Sequence, residues 1–523
     1  MPASVTSFTL DNYNLNSIDT KDLIYVAPYF KTNNGADIGI TNIFSVQLKG
    51  EQDLIKLKRI AEHYNVDILG ENKFDPSIYY LSCTKESKGN ALEMANFMYE
   101  SEGFEYATPE FLIESKGDYS NPNDDYFSSQ WNLHNLNYPG IDINYINTMS
   151  LYSSFNINNI IVAVIDNGIY NNHDDLPLHN VSYNAHTGGS ISGLYGDHGT
   201  MVAGVIGATT NNSEGIAGVA SGVKIMPISI CYAEDGARLG ISASNSTHFA
   251  NAIRFAANNG ARVINNSWSF GTSSPMPDIN NAITYAQSKG CVVIFSSGNN
   301  HSTRAVKQPA AGAPSGTLVV GAINRNGYRA DYSGYGSSLD IVAPGTGIWT
   351  TTWTGGYSSE SGTSFAAPHV SGVAALVLSA NPSLPGRDVG NILARSATKL
   401  SNYSTTTWHE QVGHGLVNAY EAVRLAVLEF TVSGPANPKP GGELTFTATP
   451  LSPHQSITWS IYPTTGVRYI TPSTYDSSCF IRFSAAAENI DYTVTATATS
   501  TFGQRIVPYN FRMGTYQGDY EVR

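Results

Sequence analysis

Short apolar runs, rich in β-branched residues, alternate with helical stretches between residues 160 and 296. The runs lie at 160–165, 223–230, 263–267 and 291–296. The stretches at 246–259 and 279–289 carry apolar residues at helical spacing. This alternation predicts an α/β fold in which helices cover both faces of a parallel sheet, in three layers. Such sheets hold their functional groups at the carboxyl ends of the strands.

The regions on either side of this pattern predict further domains. Residues 1–40 are polar and Asn-rich and indicate a weakly ordered leader. Residues 41–118 follow the order β-α-β-β-α-β, with one strand too faint to place, which predicts a small α/β sandwich. Turn formers and charges at 117–125 indicate a linker, so the central domain is expected at 122–428. From 429 to 523, alternating Thr, Ser, Val and Tyr between turn signals predict a β-sandwich.

Composition excludes several classes of partner and site. The formal net charge is −13, which argues against nucleic acid or an anionic membrane as the main partner. The four cysteines form no CxxC pair, so neither a zinc site nor a disulfide framework is indicated. No stretch approaches 18 apolar residues, and we expect no transmembrane segment. The first residues show no basic region followed by an apolar one, so we expect no signal peptide in this chain.

Three short segments carry residues of catalytic type. Asp166 ends an apolar run, IIVAVIDNG, and His198 begins a helix of small residues, DHGTMVAG. Ser364 lies between a Gly-Thr turn and an Ala-rich helix in ESGTSFAAPHVSG. A serine hydroxyl becomes a good nucleophile when an imidazole takes its proton, and a carboxylate fixes the tautomer of that imidazole. The three residues therefore predict a Ser-His-Asp catalytic site.

These segments resemble the Asp, His and Ser motifs of the subtilisin-like peptidases, in that order. Further landmarks of the family follow in register over about 300 residues: GIAGVA at 215–220, NNSWS at 265–269, SSGNN at 296–300, VVGAINRNG at 319–327, VAPG at 342–345 and GHGLVNAYEAV at 413–423. The resemblance implies a three-layer catalytic domain and a serine endopeptidase that acts through an acyl-enzyme. It also implies that Asn299 helps to bind the oxyanion.

The resemblance further implies a strand-like substrate site. Ser267, Trp268 and Ser269 match the edge strand that pairs with the substrate backbone, with Ser297 and Gly298 opposite. Pairing through the backbone tolerates varied sequences. This chain departs from the family pattern at three positions. Ser269 replaces a common Gly, Met201 a common second His, and Phe365 the Met that usually follows the nucleophile.

A structural calcium site is implied in the same way, and no organic cofactor is expected. The family combines an early Gln, an Asp after the catalytic Asp, and a loop after the catalytic His. Oxygen donors of this kind suit Ca²⁺. The residues at matching positions are Gln130, Asp175, Thr210, Asn212, Glu214 and Ile216.

The flanking domains resemble modules found on secreted subtilisin-like enzymes. Residues 91–111 are similar to an inhibitory pro-domain, which implies that the chain's own N-terminal domain blocks the cleft. We expect the enzyme to cut itself within or near 115–125. The C-terminal domain resembles immunoglobulin-like modules. This set of domains favours a secreted or cell-surface monomer that acts on polypeptides.

Two other functions stay open at this point. The chain could be a catalytically silent binding or adhesion protein that uses the fold to present its β-sandwich, although the complete triad argues against this. It could also be a serine esterase or amidase that uses the same triad on small molecules. The extended groove implied by NNSWS favours polypeptides.

Overall fold

The computed structural model divides the chain into two compact units, Met1–Asp118 and Tyr119–Arg523. The residues it describes are 29–31, 37–50, 52–72, 75–100, 103–113, 121–151, 155–191, 196–231, 246–271, 274–300, 304–403, 407–435, 438–439, 443–449, 456–465, 467–472, 478–484, 487, 489–500 and 503–514.

The first unit is an antiparallel sheet with two helices. Its elements are β1 (Tyr29–Lys31), β2 (Asp37–Leu48), α1 (Asp53–Tyr64), β3 (Val66–Glu71), β4 (Ile78–Cys83), α2 (Ala91–Glu100) and β5 (Phe104–Ile113). The strands are ordered β1-β2-β4-β3, and β5 also pairs with β2. From β2 onwards the predicted order β-α-β-β-α-β is present, and β3 is the strand that was too faint to place.

The predicted leader is too long. Strand β2 begins at Asp37 and pairs with β1, so part of the segment 1–40 already belongs to the sheet. Residues 1–28 and 32–36 lie outside the described residues. The apolar alternation that would have predicted this start is diluted by Gly and Asn, which is why the sequence pattern placed the boundary too late.

The second unit is built on a seven-stranded parallel sheet. Its order is β12-β11-β10-β9-β6-β8-β7. The strands are β6 (Ile161–Asp166), β7 (Tyr183–Asn184), β8 (Lys224–Ser229), β9 (Val263–Asn266), β10 (Val292–Ser296), β11 (Leu318–Ile323) and β12 (Ile341–Pro344). The four predicted strands agree with β6, β8, β9 and β10 to within one residue at each end. The predicted parallel sheet is confirmed.

Helices cover both faces of this sheet. They are α3 (Tyr145–Met149), α4 (Asp197–Gly207), α5 (Ser246–Asn258), α6 (Pro277–Ser288), α7 (Thr363–Ala380), α8 (Gly386–Ser396) and α9 (Ala419–Leu428). One buried core contains residues of α4, α7, α8 and α9, and a second contains residues of α5 and α6. The fold therefore has the three predicted layers. A separate hairpin is formed by β13 (Ile348–Thr351) and β14 (Tyr357–Glu360).

Helix α7 is long and apolar enough, by length and composition alone, to meet the criterion for a membrane span. The sequence contains no continuous apolar run here, because Ser, His and Pro interrupt it. All residues of α7 are buried inside the fold. Complete burial is what the central helix of a globular core requires, since it is surrounded by protein on all sides.

The C-terminal part contains two antiparallel sheets of four and three strands. Their orders are β15-β16-β19-β18 and β17-β20-β21. The strands are β15 (Thr431–Ser433), β16 (Glu443–Thr449), β17 (Ser456–Tyr462), β18 (Val467–Pro472), β19 (Ser478–Phe483), β20 (Asp491–Ser500) and β21 (Gly503–Arg512). Inward-facing residues such as Phe446, Trp459 and Val494 form one buried cluster, so this region is the predicted β-rich domain.

A network of three charges lies where the C-terminal sheets join the helical layer. The Glu429 carboxylate follows α9 and accepts hydrogen bonds from Arg395 on α8, at 3.0 Å, and from Arg505 on β21. The Arg505 guanidinium also lies 5.9 Å from the centre of the buried Phe430 ring. One carboxylate therefore contacts both the helical layer and the C-terminal sheet.

Candidate active site

Three neighbouring strands bring Asp166, Ser267 and Asn299 to one edge of the parallel sheet. Strand β9 lies between β6 and β10, and Asn266 pairs in register with Ile165 on one side and Phe295 on the other. Asp166 at the end of β6 is therefore level with Ser267, which follows β9. Asn299 lies three residues beyond the end of β10. The parallel pairing of the strands therefore brings close together residues that are more than a hundred positions apart in the sequence.

Asp166 and His198 form a hydrogen-bonded pair. The His198 Nδ1 atom lies 2.9 Å from Asp166 Oδ1 and 3.0 Å from Oδ2, and the Asp166 residue is buried. The helix that carries His198 comes close to the turn after β6, since a Cβ on Gly199 would lie only 2.1 Å from Gly168 O. Glycine in the HGT motif therefore lets the imidazole reach the carboxylate. This pairing orients the ring so that Nε2 is free to accept a proton.

Opposing effects set the pKa of His198. Partial burial lowers it, but the carboxylate of Asp166, through its charge and its hydrogen bond, outweighs burial. The charges of Asp197 and Glu360 act in the same direction, and the pKa is raised above its ordinary value of 6.5. A raised pKa makes the ring a stronger base, as a general base for a serine requires.

Ser364 lies in the first turn of α7, with its side chain beside the end of β9. In this structure its Oγ donates to the main-chain oxygen of Ser267 at 3.1 Å, and of the described residues this is its hydrogen-bond acceptor. The Ser267 hydroxyl in turn donates to Ser364 O at 2.9 Å. That carbonyl is available because residue 368, four positions along the helix, is proline and has no N–H. Ser267 thus forms two hydrogen bonds with Ser364, one through its main-chain oxygen and one through its hydroxyl.

The side-chain amide of Asn299 is oriented by Thr363. The Asn299 Oδ1 atom accepts from both the N–H and the hydroxyl of Thr363, each at 2.9 Å. The other half of the amide, Nδ2, therefore faces Gly362, where an added Cβ would lie 3.1 Å away. The N–H of Ser364 is in the first helical turn, where backbone donors have no partner within the helix. The Asn299 amide and the Ser364 N–H thus both lie near Gly362, since a Cβ there would be 3.1 Å from the first and 3.7 Å from the second.

The two segments predicted to bind substrate differ in what they offer. Among the described residues, no partner is found for the main-chain groups of Trp268 and Ser269, so these remain free to pair with an added strand. The Trp268 ring itself is buried against Phe249 and Phe295, and contributes only its backbone.

On the opposite side, Ser297 and Gly298 have carbonyls that are already used. The Ser297 carbonyl accepts from Lys307 N and the Gly298 carbonyl from Gly334 N, each at 3.0 Å. We therefore expect these two residues to form a wall of the cleft rather than to pair with substrate.

The residues that depart from the family pattern differ in their distance from His198. Phe365 is buried directly after the nucleophile, and its ring centre lies 6.1 Å from that of His198. Met201 is on α4, packed at the edge of the core. Of these two positions, only Phe365 lies against a catalytic side chain.

The predicted calcium ligands do not all meet. Asp175 is buried, and its carboxylate accepts from Asn212 Nδ2 at 2.9 Å and from Ile216 N at 3.3 Å. The Gln130 side chain instead forms two 2.8 Å hydrogen bonds with the main chain of Ala217. This pairing satisfies both ends of the amide, so we do not expect Gln130 to bind a metal.

Asp124 is the second buried carboxylate at this place. It is only 4% exposed and accepts from Asn211 N at 3.0 and 3.1 Å. Burial raises the pKa of Asp124, and burial together with the Asp124 charge raises that of Asp175 to about 7. No basic side chain forms an ion pair with either carboxylate in the described part of the chain.

The loop beside these carboxylates has an unusual backbone. Asn211, Ser213 and Gly215 alternate as left-handed residues, with φ of 63°, 64° and 58°. Two unpaired buried carboxylates beside such an oxygen-rich loop fit a hard divalent cation. No group of three or more His, Cys, Asp or Glu side chains able to hold a metal is found among the described residues, so main-chain oxygens would have to complete the site.

Sequence reasoning did not identify three residues of the site region. Thr363 and Pro368 are in the quoted Ser motif, but their roles depend on contacts with Asn299 and Ser267 that no local pattern reveals. Asp124 was visible as one of two adjacent carboxylates in the segment interpreted as a linker. Its partner residue, Asn211, is 87 positions away, which is why local reasoning could not pair them.

Comparisons with known proteins agree with this geometry. A family model described as the subtilase family matches residues 158–415. Alkaline elastase YaB from Bacillus sp. (strain YaB) is 41% identical over 264 residues, 50% of this chain and 64% of that protein. The match thus spans less than two thirds of the elastase. Subtilisin Savinase from Lederbergia lenta is 39% identical over 265 residues, 50% of this chain and 90% of that protein.

A solved structure of proteases from Pseudoalteromonas arctica gives the same result for the fold. It is 30% identical and covers 59% of this chain and all of its own length, with a TM-score of 0.50.

Proposed function

Because the chain belongs to the subtilase family, as its 39% identity over 90% of subtilisin Savinase establishes, we propose that it is a serine endopeptidase with Asp166, His198 and Ser364 as its catalytic triad. The observation that carries this proposal is the hydrogen bond between the buried Asp166 carboxylate and His198, with the residue after Ser364, Phe365, packed 6.1 Å from the His198 ring. The Asn299 amide, fixed by Thr363, adds the group that such chemistry needs for the oxyanion.

The mechanism follows from these positions. A substrate strand pairs with the main-chain groups of Trp268 and Ser269, which places its scissile carbonyl in front of Ser364. The hydroxyl leaves Ser267 O and transfers its proton to His198 Nε2 as Oγ attacks the carbonyl carbon. The oxyanion is bound by Asn299 Nδ2 and Ser364 N–H. His198 then protonates the leaving amine, and water hydrolyses the acyl-enzyme by the same steps in reverse.

The direct test is intact mass spectrometry after treatment with a fluorophosphonate, beside Ser364→Ala. We expect a single adduct on Ser364 that is absent from the variant, together with cleavage of casein in preference to simple esters. An adduct without cleavage of any polypeptide would favour the esterase alternative. Absence of an adduct, both from the full chain and after limited tryptic cleavage at Lys116, would favour a silent binding protein.

We further propose that the N-terminal unit is an inhibitory pro-domain and that the enzyme is made as a self-processed zymogen. The small α/β sandwich of the first unit and the turn-rich segment after it support this. Purified protein should lose about 120 N-terminal residues on incubation, whereas Ser364→Ala should keep its full length. Equal loss in both proteins would point to a contaminating protease.

The calcium proposal concerns stability and not a catalytic step. Asp124 and Asp175 would hold Ca²⁺ together with Asn212 and the main-chain oxygens of the 210–216 loop. The ion would supply charge compensation for the two buried carboxylates and would join the segment at 124 to this loop.

The C-terminal domain is proposed to be immunoglobulin-like. The orders β15-β16-β19-β18 and β17-β20-β21 are those of a constant-type immunoglobulin sandwich, which supports this. With this domain and the proposed pro-domain, we propose a secreted or cell-surface enzyme. Fractionation of producing cells should place the fluorophosphonate adduct outside the cytoplasm, and an adduct found only in the cytosol would contradict that location.

A further inference from the structure

The Lys307 side chain lies along the wall of the cleft formed by residues 297–299. Its N–H donates to Ser297 O, and its Nζ donates to Asn299 O, each at 3.0 Å. Between these bonds its aliphatic carbons cross Gly298, where an added Cβ would lie 2.9 to 3.1 Å from them. Gly298 also has a φ of +90°, so glycine both permits this backbone and makes room for the lysine.

This position places an ammonium group beside the reacting centre. Lys307 bonds to the main chain of Asn299, the residue whose side chain faces the oxyanion. The substrate residue that contributes the scissile carbonyl must lie between segments 267–269 and 297–299, because its backbone pairs with the first and its oxygen meets the Asn299 amide. Its side chain is therefore close to the wall along which Lys307 lies.

The Lys307 ammonium forms no ion pair with an acidic side chain in the described part of the chain, although the chain as a whole carries a net charge of −13. A lysine has three N–H donors, and one neutral carbonyl satisfies one of them. The neighbouring charged residue on the same segment, Arg304, adds positive and not negative charge. The wall is thus cationic and can accept a carboxylate.

We propose that Lys307 selects an acidic side chain, Asp or Glu, on the residue that contributes the scissile carbonyl. The inference rests on the proposed peptidase function and names its substrate class. A carboxylate at this place would form a charge-assisted hydrogen bond with the Lys307 ammonium, which neutral side chains cannot do. A substrate lysine or arginine would place like charges together.

The test compares kcat/KM for peptides that differ only at this residue, carrying Glu, Gln or Lys, using the processed protein. We expect the Glu peptide to be cut at least about tenfold better than its Gln isostere, and the Lys peptide to be cut least. Lys307→Gln should reduce the Glu-to-Gln ratio to about one. In Lys307→Glu, the peptide that carries Lys should be cut faster than the peptide that carries Glu. The wild-type preference should decrease as salt is added.

Lys289→Gln is the matched control, because Lys289 lies just after α6 with its ammonium over the Tyr285 ring, away from the cleft. It should keep the wild-type ratio. Equal cleavage of Glu and Gln peptides by the wild type would overturn the inference. So would a Lys307→Gln variant that loses turnover equally on all peptides, because Lys307 would then serve only to hold Asn299.

Fluorophosphonate labelling of the same preparation separates the two proposals. Protein that is labelled at Ser364 and cuts peptides without a preference for Glu contradicts the inference alone. Protein that is neither labelled nor active removes the proposed function, and the inference with it.

Discussion

The Ser364 carbonyl accepts a hydrogen bond from a side chain because a proline occupies the position that would normally supply a backbone donor. In a regular helix this oxygen would accept the N–H of residue 368, but Pro368 has none. The Ser267 hydroxyl supplies the missing donor, and Asn265 Nδ2 at 3.0 Å fixes that hydroxyl in turn. A proline in a core helix is normally costly, and here the cost is offset by a side chain from a neighbouring strand end.

Ser267→Ala should therefore reduce turnover without weakening substrate binding. The main chain that pairs with substrate is unchanged, but the Ser364 carbonyl loses its donor and the nucleophile is held less firmly. We expect kcat to fall about tenfold, equivalent to about 1.4 kcal/mol, with KM nearly constant. Ser379→Ala, which removes a buried hydroxyl of α7 whose acceptor among the described residues is Leu376 O, should keep kcat. A rise in KM with an unchanged kcat would contradict this role, because Ser267 would then affect only substrate binding.

The raised pKa of His198 predicts the acid limit of activity. The ring must be neutral to accept the serine proton, so kcat/KM should rise with pH through a midpoint above 6.5. Glu360→Gln removes one of the charges that raise this pKa and should move the midpoint to lower pH.

The pH profile has a matched control on α9. Glu421 is paired with Arg424 at 2.9 Å and is remote from the triad, so Glu421→Gln should leave the midpoint unchanged. A shift to higher pH in Glu360→Gln would contradict the electrostatic account.

Phe365 predicts resistance to peroxide. A thioether after the nucleophile would be oxidised readily to a sulfoxide, whereas a phenyl ring beside His198 is not. Wild-type activity should survive hydrogen peroxide, and Phe365→Met should lose activity on the same treatment, with a gain of one oxygen at that residue by mass spectrometry. Rapid inactivation of the wild type through an active-site modification would refute the prediction.

Residues within motifs were predictable, and residues that act across loops were not. Asp166, His198 and Ser364 each lie in a segment whose local pattern already indicates a strand end or a helix start. Lys307 carries no such pattern, because its role arises from contact with Gly298 and Asn299 in the folded cleft. The role of Lys307 can be recognised only from the folded geometry of the cleft wall.

Among the structural elements, strands of the parallel sheet were the most predictable. Strand β10 was expected at 291–296 and is Val292–Ser296, because buried parallel strands are short apolar runs with sharp ends. Strand β3 was too faint to place. Its positions alternate between buried and exposed, but an exposed position is occupied by the apolar Leu69 and Gly70 lies at a register shift, and both features weaken the apolar–polar alternation in the sequence.

The 210–216 loop is the element on which calcium should act. If Ca²⁺ binds Asp124 and Asp175, it stabilises the folded state by mass action. The midpoint of thermal unfolding at pH 8 should rise with added Ca²⁺ and fall in EDTA. Asp175→Asn should remove most of this response.

Asp174→Asn provides the control, because Asp174 is the exposed neighbour of the buried Asp175. Its thermal midpoint should respond to Ca²⁺ as the wild type does. Absence of any response in the wild type would remove the metal proposal, and an equal loss in both variants would indicate general screening of surface charge.

At the scale of the whole molecule, the Glu429 network joins the C-terminal sheets to the helical layer. Glu429→Gln should weaken both arginine contacts, and since the network is only partly buried, we expect a loss of about 1 kcal/mol or less. The clearest readout is faster hydrogen exchange in β15 and at the end of α9. Glu421→Gln, which breaks a half-buried pair on α9, should leave that exchange unchanged. Unaltered exchange in Glu429→Gln would show that apolar packing alone holds this junction.

The parallel sheet that brings the proposed catalytic residues together also determines at which stage of synthesis activity can appear. Strands β9 and β10, which provide the groove, are made after β6, and almost two hundred residues separate Asp166 from Ser364. Contacts between such distant segments form late in folding, and the chain leaves the ribosome from its N-terminus. A nascent chain that has not yet reached α7 has no nucleophile, so the cell that synthesises this protein is not exposed to its cleavage until the catalytic core is complete.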